Sequence, residues 1–311
     1  MDGRRNEDAP VLVIWHRRDM DALSCIVDSE LAVFAEATAR WRATDPIRNN
    51  VASTVIDARL GGAVPLVGDE LWLRLVDAGT VVGLALHTPP FPLLLLAPDL
   101  NLIDPLVETL RRIRPTLSGV GGPLTGAEEF ARRWAAPGTA PRVGSVHRMF
   151  VLDGLRAPTG IPGRLRRADA PDTALLAEWS TAFSAEALPD EPIPADAVEN
   201  VARRLSVGVP YWLWEVDGEA VSMMATSPPA LGISRVQSVY TPPERRRHGY
   251  AAAMVAAACA ETRARPDVDE VVLFADVANP TSSGVYRRIG FSDLHDVAQF
   301  LFDAPEDTTS D

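Results

Sequence analysis

One stretch of this chain gathers groups suited to holding phosphate. After the apolar run Val236-Gln-Ser-Val-Tyr240 comes Thr241-Pro-Pro-Glu-Arg-Arg-Arg-His-Gly-Tyr-Ala251, which opens into Ala252-Ala-Met-Val-Ala-Ala-Ala-Cys259. A strand, a tight turn and a helix in that order leave several backbone N–H groups at the helix start unpaired and partly positive, a ready site for an anion. Gly249 lets the backbone approach the ligand, and Ala251 keeps the helix start uncrowded. The run Arg245–Arg247 adds cationic attraction to a pyrophosphate.

The elements needed to position that loop follow from periodicity. The second half reads as a strand (165–168), a helix (170–186), an acidic loop, a helix (195–205) and a hairpin. Then come a strand (233–239), the loop, an Ala-rich helix from Tyr250, a strand (271–275), a short helix from Thr281 and a last strand (297–302). Helices alternating with strands that include a hairpin give a mixed sheet in an α/β domain.

The first half repeats this order, preceded by helices around Asp21–Ala37. Leu71-Trp-Leu-Arg-Leu-Val-Asp77 with Val81-Val-Gly-Leu-Ala85 matches Tyr211-Trp-Leu-Trp-Glu-Val-Asp217 with Val221-Ser-Met-Met-Ala225. Trp72 and Trp212, Asp77 and Asp217, Val81 and Val221, Ala85 and Ala225 pair at one constant offset, and each copy turns at Ala-Gly or Asp-Gly. The Pro- and Gly-rich segment 154–163 reads as a linker, so the expected boundary lies near residue 160. A length of 311 residues suits two domains.

Composition narrows the function. A net charge of −12 argues against general nucleic-acid binding and favours cationic partners, and no apolar run is long enough to cross a bilayer. The expectation is a cytoplasmic protein with no readable export signal. Cys25 and Cys259, each expected inside a helix, offer neither a disulfide framework nor metal spacing. All 30 basic residues are arginine, so the chain has no lysine side chain to modify on itself.

Arg246, Gly249 and Ala251 meet the pattern Arg or Gln, two residues, Gly, one residue, Gly or Ala. Val277-Ala-Asn279-Pro-Thr-Ser-Ser-Gly-Val-Tyr286-Arg-Arg-Ile-Gly290-Phe291 follows in order, with Asn279, Tyr286 and Gly-Phe at matching places. In both blocks the chain resembles the GNAT superfamily of N-acetyltransferases over most of 161–311, and the lead-in Val-Tyr-Thr-Pro-Pro-Glu resembles bacterial members. The resemblance implies two tandem GNAT-like α/β domains, each a mixed, mostly antiparallel sheet flanked by helices: a catalytic one at 161–311 and a degenerate, structural one at 1–160. It also implies transfer of an acetyl group from acetyl-CoA to a primary amine within one ternary complex. Val239, Tyr240, Thr241, Arg246, Arg247, His248, Gly249, Tyr250, Ala251, Asn279 and Tyr286 would hold the CoA. Tyr286 would protonate the leaving thiolate, and an N–H in 239–241 would steady the oxyanion.

The attacking amine must lose a proton. The strand before the loop offers no glutamate, which leaves Glu215 on the hairpin or Glu186, with Asp190 and Glu191 beside the latter as further acids of an acceptor site. Those acids suggest a small cationic acceptor. Solvated loop acids are the plain alternative for them, and His248 and His295 stay as surface or packing residues. No metal is expected, and a homodimer is neither implied nor excluded. A non-catalytic acyl-CoA-binding regulator and a protein or peptide N-acetyltransferase are the rival readings. In the first half, Pro98-Asp-Leu-Asn-Leu-Ile-Asp-Pro105 has no glycine and no arginine. Phe130 stands for Tyr286 and, with a one-residue shift, Gly122 for Asn279, so that copy lacks the proton donor and the amide.

Overall fold

The computed structural model describes residues 23–136, 139–190, 193 and 195–302. In chain order the elements are β1 (Ser24–Asp28), α1 (Leu31–Arg42), α2 (Asn50–Leu60), β2 (Leu71–Asp77), β3 (Thr80–His87), β4 (Leu93–Leu96), α3 (Ile103–Ile113), β5 (Gly119–Pro123), α4 (Leu124–Trp134) and β6 (Arg142–Leu152). The same order then recurs as β7 (Arg164–Arg167), α5 (Thr173–Ala187), α6 (Ala197–Ser206), β8 (Tyr211–Val216), β9 (Glu219–Thr226), β10 (Ile233–Tyr240), α7 (Tyr250–Arg263), β11 (Glu270–Asp276), α8 (Pro280–Ile289) and β12 (Phe291–Leu301).

In space the chain divides otherwise than by a single cut near residue 160. Of the described residues, one compact unit holds those within 23–44, 67–142 and 299–302; the other holds those within 45–66 and 143–298. The difference has two causes. β6 pairs with β11 through contacts such as Phe150 opposite Leu273, and α2 packs on β10.

The first unit orders its strands β1-β2-β3-β4-β5, antiparallel except for the parallel β4–β5 pair. Its α3 buries Ile103, Leu106, Val107 and Leu110, the one-sided spacing of a helix lying on a sheet. The segment expected to be helical around Asp21–Ala37 starts as strand instead, with Asp21 itself outside the described residues. Ser24-Cys-Ile-Val-Asp28 pairs with β2, Cys25 opposite Leu75, and the Asp28–Arg74 ion pair at 2.7 Å ties the two strands. Cys25 is therefore a strand residue, whereas Cys259 is helical as expected.

The second unit orders its strands β7-β8-β9-β10-β11-β6, with most of β12 beyond β6, and from β7 to β6 the pairs are antiparallel except for the parallel β10–β11 pair. β9 buries every residue from Val221 to Thr226, as a central strand covered on both faces must. One face packs on α7 and α8, whose small residues Ala253, Ala256, Ala258 and Cys259 let the helix lie close to the sheet. The other face packs on α5 and α6, with Ala63 from the α2 segment.

The two hairpins correspond more closely than residue identity suggests. Each closes on two residues with positive φ, Ala78 (44°) and Gly79 (79°) in one and Asp217 (50°) and Gly218 (84°) in the other. Each carries a bulge, between Leu75 and Val76 and between Trp214 and Glu215. Turn and bulge superpose with Ala78 on Asp217, so Trp72 corresponds to Tyr211 and Leu73 to Trp212. The identity matches of Trp72 with Trp212 and Asp77 with Asp217 are thus one residue out of structural register.

Candidate functional site

The site is built where β10 leaves its neighbours. Its parallel ladder with β11 covers Ile233–Val236 only, and its register with β9 shifts between Gln237 and Tyr240 around Ser238, whose φ is +51°. The extra residue is a bulge, and beyond it the strand presents backbone groups that a ligand's amides can pair with. Ser222 fixes the end of the strand. Its hydroxyl donates to the Tyr240 carbonyl at 2.8 Å and lies 2.8 Å from the Thr241 hydroxyl.

A short 3-10 turn over Pro243–Arg245 follows, using the N–H groups of Arg245 and Arg246 on the carbonyls of Pro242 and Pro243. The next backbone bond is the Ala253 N–H to the Gly249 carbonyl at 3.0 Å. Between them, the N–H groups from Arg247 to Ala252 make no backbone hydrogen bond among the described residues. Pro243 to Gly249 are exposed. Arg247 (φ +66°) and Gly249 (φ +81°) both take the left-handed conformation, which folds successive N–H groups into a concave nest at the positive end of α7. For Arg247 this conformation costs roughly 1–2 kcal/mol, a strain of the kind found where backbone meets ligand. A Cβ on Gly249 would come within 2.7 Å of Ile161 Cδ1, a side-chain tip that can shift, so the positive φ is what favours glycine.

Arg246, though exposed, is held by the protein. Its Nε donates to the Thr241 carbonyl at 2.8 Å, its NH2 pairs with Glu186 Oε2 at 2.6 Å, and its guanidinium lies 5.7 Å from the Tyr240 ring centre. The Tyr240 hydroxyl donates to the other Glu186 oxygen at 3.4 Å, and Trp179 packs on the Tyr240 ring. Burial and the Glu186 charge raise the Tyr240 pKa. The structure thus brings Tyr240, Thr241, Arg246 and Glu186 together at the mouth of the loop before α7. His248 stacks on Tyr250 at 5.3 Å, and its Nδ1 meets the Arg245 carbonyl, a packing arrangement.

Tyr286 sits on α8 in the core between Phe150 and Phe291, 9% exposed. Burial raises its pKa despite a hydrogen bond with Ser282, so the phenol keeps its proton at neutral pH, the form a general acid needs. Asn279 is the N-cap of α8, its Oδ1 accepting from the Ser282 N–H at 3.0 Å. Aligning the starts of α4 and α8 sets Phe130 on Tyr286 and Pro123 on Asn279, so the one-residue shift to Gly122 is not needed.

Glu215 is elsewhere. It bridges Arg164 at 3.1 Å and Arg166 at 2.5 Å, and Arg166 also holds Asp172 at 2.7 Å. Arg166 above all keeps the Glu215 carboxyl below its ordinary pKa, which makes it a poor proton acceptor. Two strand spacings, about 10 Å, separate β8 from β10. Asp190 is exposed in the loop after α5, and Glu191 lies outside the described residues.

Sequence reasoning missed Ser222, Ser238, Ile161 and a polar group on β10 made of Arg235 and Gln237. Ser238 carries no signal of its own, since a bulge in mid-strand shows only in the register. No group of His, Cys, Asp and Glu suited to a metal occurs among the described residues. None of the described helices is long and apolar enough to cross a membrane.

A model of the acetyltransferase (GNAT) family matches residues 173–291. No curated protein matches the chain. Among solved structures, a Drosophila protein aligns over 91% of this chain and 99% of its own with a TM-score of 0.58 at 14% identity. A GCN5-related N-acetyltransferase from Sphaerobacter thermophilus aligns over 89% and 94% with a TM-score of 0.56 at 18% identity. An acetyltransferase of the GNAT family from Colwellia psychrerythraea aligns over 90% and 100% with a TM-score of 0.54 at 11% identity. At these identities the likeness is one of fold.

Proposed function

We propose, from the match of residues 173–291 to the acetyltransferase (GNAT) family, that the chain transfers an acetyl group from acetyl-CoA to a primary amine by direct attack in a ternary complex. The observation that carries the reading is the nest of N–H groups over Arg247–Ala252 at the end of a strand that has parted from its neighbour. The nest holds a pyrophosphate, the free edge of Val239–Thr241 pairs with pantetheine, and an N–H in that stretch steadies the oxyanion of the attacked thioester. Tyr286 gives its proton to the departing sulfur. Asn279, spent on capping α8, holds that helix in place.

Glu186, the carboxylate paired with Arg246 and in reach of the Tyr240 hydroxyl, takes the proton of the amine, directly or through water. Its pairing with Arg246 links the two halves of the reaction, because a pyrophosphate competes for the same guanidinium. A cationic acceptor, expected from the acid-rich loop, loses Glu186 as support, since that carboxylate is already paired with Arg246. By this reading the first unit is a related domain without its own phosphate nest and has a structural role.

Steady-state release of CoA thiol with a panel of amines tests the proposal. Tyr286→Phe should keep CoA affinity and lower kcat by about 10²- to 10⁴-fold, the usual worth of a positioned acid. Tight CoA binding without thiol release from any amine would establish a non-catalytic binder instead. Peptide acceptors outcompeting small amines would mark a protein acetyltransferase.

A further inference from the structure

On the face of β10 covered by α2, α5 and α6, two guanidinium groups meet without a carboxylate. Arg235 is partly buried, and its NH1 donates to Oδ1 of the fully buried Asn50 at 2.6 Å. Arg204, from α6, lies 5.5 Å over the Tyr211 ring. The Gln237 amide stands between them. Its oxygen accepts from Arg235 at 3.2 and 2.9 Å in one orientation, or from Arg204 at 3.5 Å in the other, and it cannot serve both.

Burial first, and the Arg204 charge second, pull the Arg235 pKa down to about 10, so the group is still charged at neutral pH and its charge is met by amide oxygens alone. Among the described residues neither arginine has an acidic partner, although other arginines of the same unit do. Arg166 holds Asp172 and Glu215, Arg148 holds Asp293 and Asp296, and the adjacent Arg203 reaches Glu199 at 3.7 Å. With 42 acids against 30 bases, the chain has no shortage of acids. Two like charges this close in a partly desolvated place are unfavourable unless an anion joins them.

Position supplies the direction. Gln237 pairs with Ala225 and Tyr240 with Met223, and both partners face the α5–α6 core, so Arg235, Gln237 and Tyr240 form one row despite the bulge. The row runs from the arginine pair to the phosphate loop. From Arg235 to the bulge is three residues, about 10 Å of strand.

We infer that Arg204 and Arg235 hold an oxyanion of the acceptor, a carboxylate or a phosphate, so that the amine of an extended molecule reaches the bulge at Ser238. This rests on the amine-acetylation reading above. The acceptor class is therefore an amine carrying an anionic group at its far end, not a polycation.

The test compares 6-aminohexanoate, 6-aminohexyl phosphate and hexylamine as acceptors. Wild type should prefer one of the two anionic amines over hexylamine by about tenfold or more in kcat/KM, the worth of one charge-assisted pair, and which anion is preferred identifies the group held. Arg235→Gln and Arg204→Gln should each collapse that ratio towards one, with CoA titration by intrinsic fluorescence showing that each variant is folded. Arg204 is the safer substitution, because Arg235 also ties α2 to β10 through Asn50. A wild-type ratio of one or less, or a ratio unchanged in Arg204→Gln, overturns the inference. If no amine releases CoA, the acetyl-transfer reading has failed by itself. Calorimetric binding of 6-aminohexanoate that is lost in Arg204→Gln then still supports the anion site, and absence of binding overturns it.

Discussion

The helix that follows the fourth strand of the repeated order begins in opposite ways in the two units. At α7 the start is open: Gly249 in the left-handed conformation, three arginines before it and N–H groups without backbone partners. At α3 the preceding turn is closed upon itself. Asp99 accepts from the Asn101 N–H at 2.9 Å, a 3-10 turn over Leu100–Leu102 leads in, and Asp104 places a second carboxylate in the first turn. The positive end of a helix favours an anion in either case. In one unit the chain supplies that anion; in the other the first turn holds no acidic residue, which on the proposed reading leaves the place to CoA.

The largest effect that would break this contrast is at Gly249. Gly249→Val adds a side chain where φ is positive and Ile161 is already close, and should weaken CoA binding by roughly tenfold to a hundredfold in fluorescence titration. Its counterpart Asp99→Ala should leave CoA affinity where it is and cost about 1 kcal/mol in denaturant unfolding, the worth of a cap. Equal losses of affinity in the two variants would mean that both starts bind the ligand.

A second difference is in titration. His87 ends β3 with its Nδ1 buried and without a partner among the described residues, and burial above all lowers its pKa from 6.5 to about 4. In hairpin register its counterpart is Thr226, a neutral group accepting from Trp212 Nε1 at 3.3 Å. A histidine that is harder to protonate when folded stabilises the fold above pH 6.5, and that contribution is lost as pH falls towards 4. Thermal unfolding should show a loss on the order of 2–3 kcal/mol across that window. His87→Thr should flatten it; a slope that persists in the variant would assign the loss to other groups.

The smallest effect concerns the ion pair at the loop. Glu186→Gln removes the competitor for Arg246 and should tighten CoA binding by up to about fivefold, the scale of an exposed ion pair. Weaker binding instead would mean that Glu186 holds Arg246 in its binding position.

What could be read from the sequence was what local chemistry announces. Arg246, Gly249 and the strand before them lie within a few residues of one another, and turn, charge and helix start agree. Glu215 misled because the arginines that claim it, Arg164 and Arg166, lie on a strand 51 and 49 residues earlier and become neighbours only when β7 pairs with β8. The Arg235–Asn50 contact spans 185 residues and has no local sign at all. Residue identity also competed with geometry. Trp72 and Trp212 look equivalent, yet the turn and bulge place Tyr211 opposite the role of Trp72.

The bulge at Ser238 works as a phase shift in the strand. Without it, period-two alternation would turn Val239 towards the α5–α6 side and Tyr240 towards α7, sending the aromatic into the wrong core and separating it from Glu186 and Arg246. Deleting one small residue, whose own side chain neither core uses, would therefore exchange inside for outside along the rest of β10. The site depends there on a count of residues more than on their kind, and scanning substitutions at Ser238 would pass over a position that a single deletion would expose.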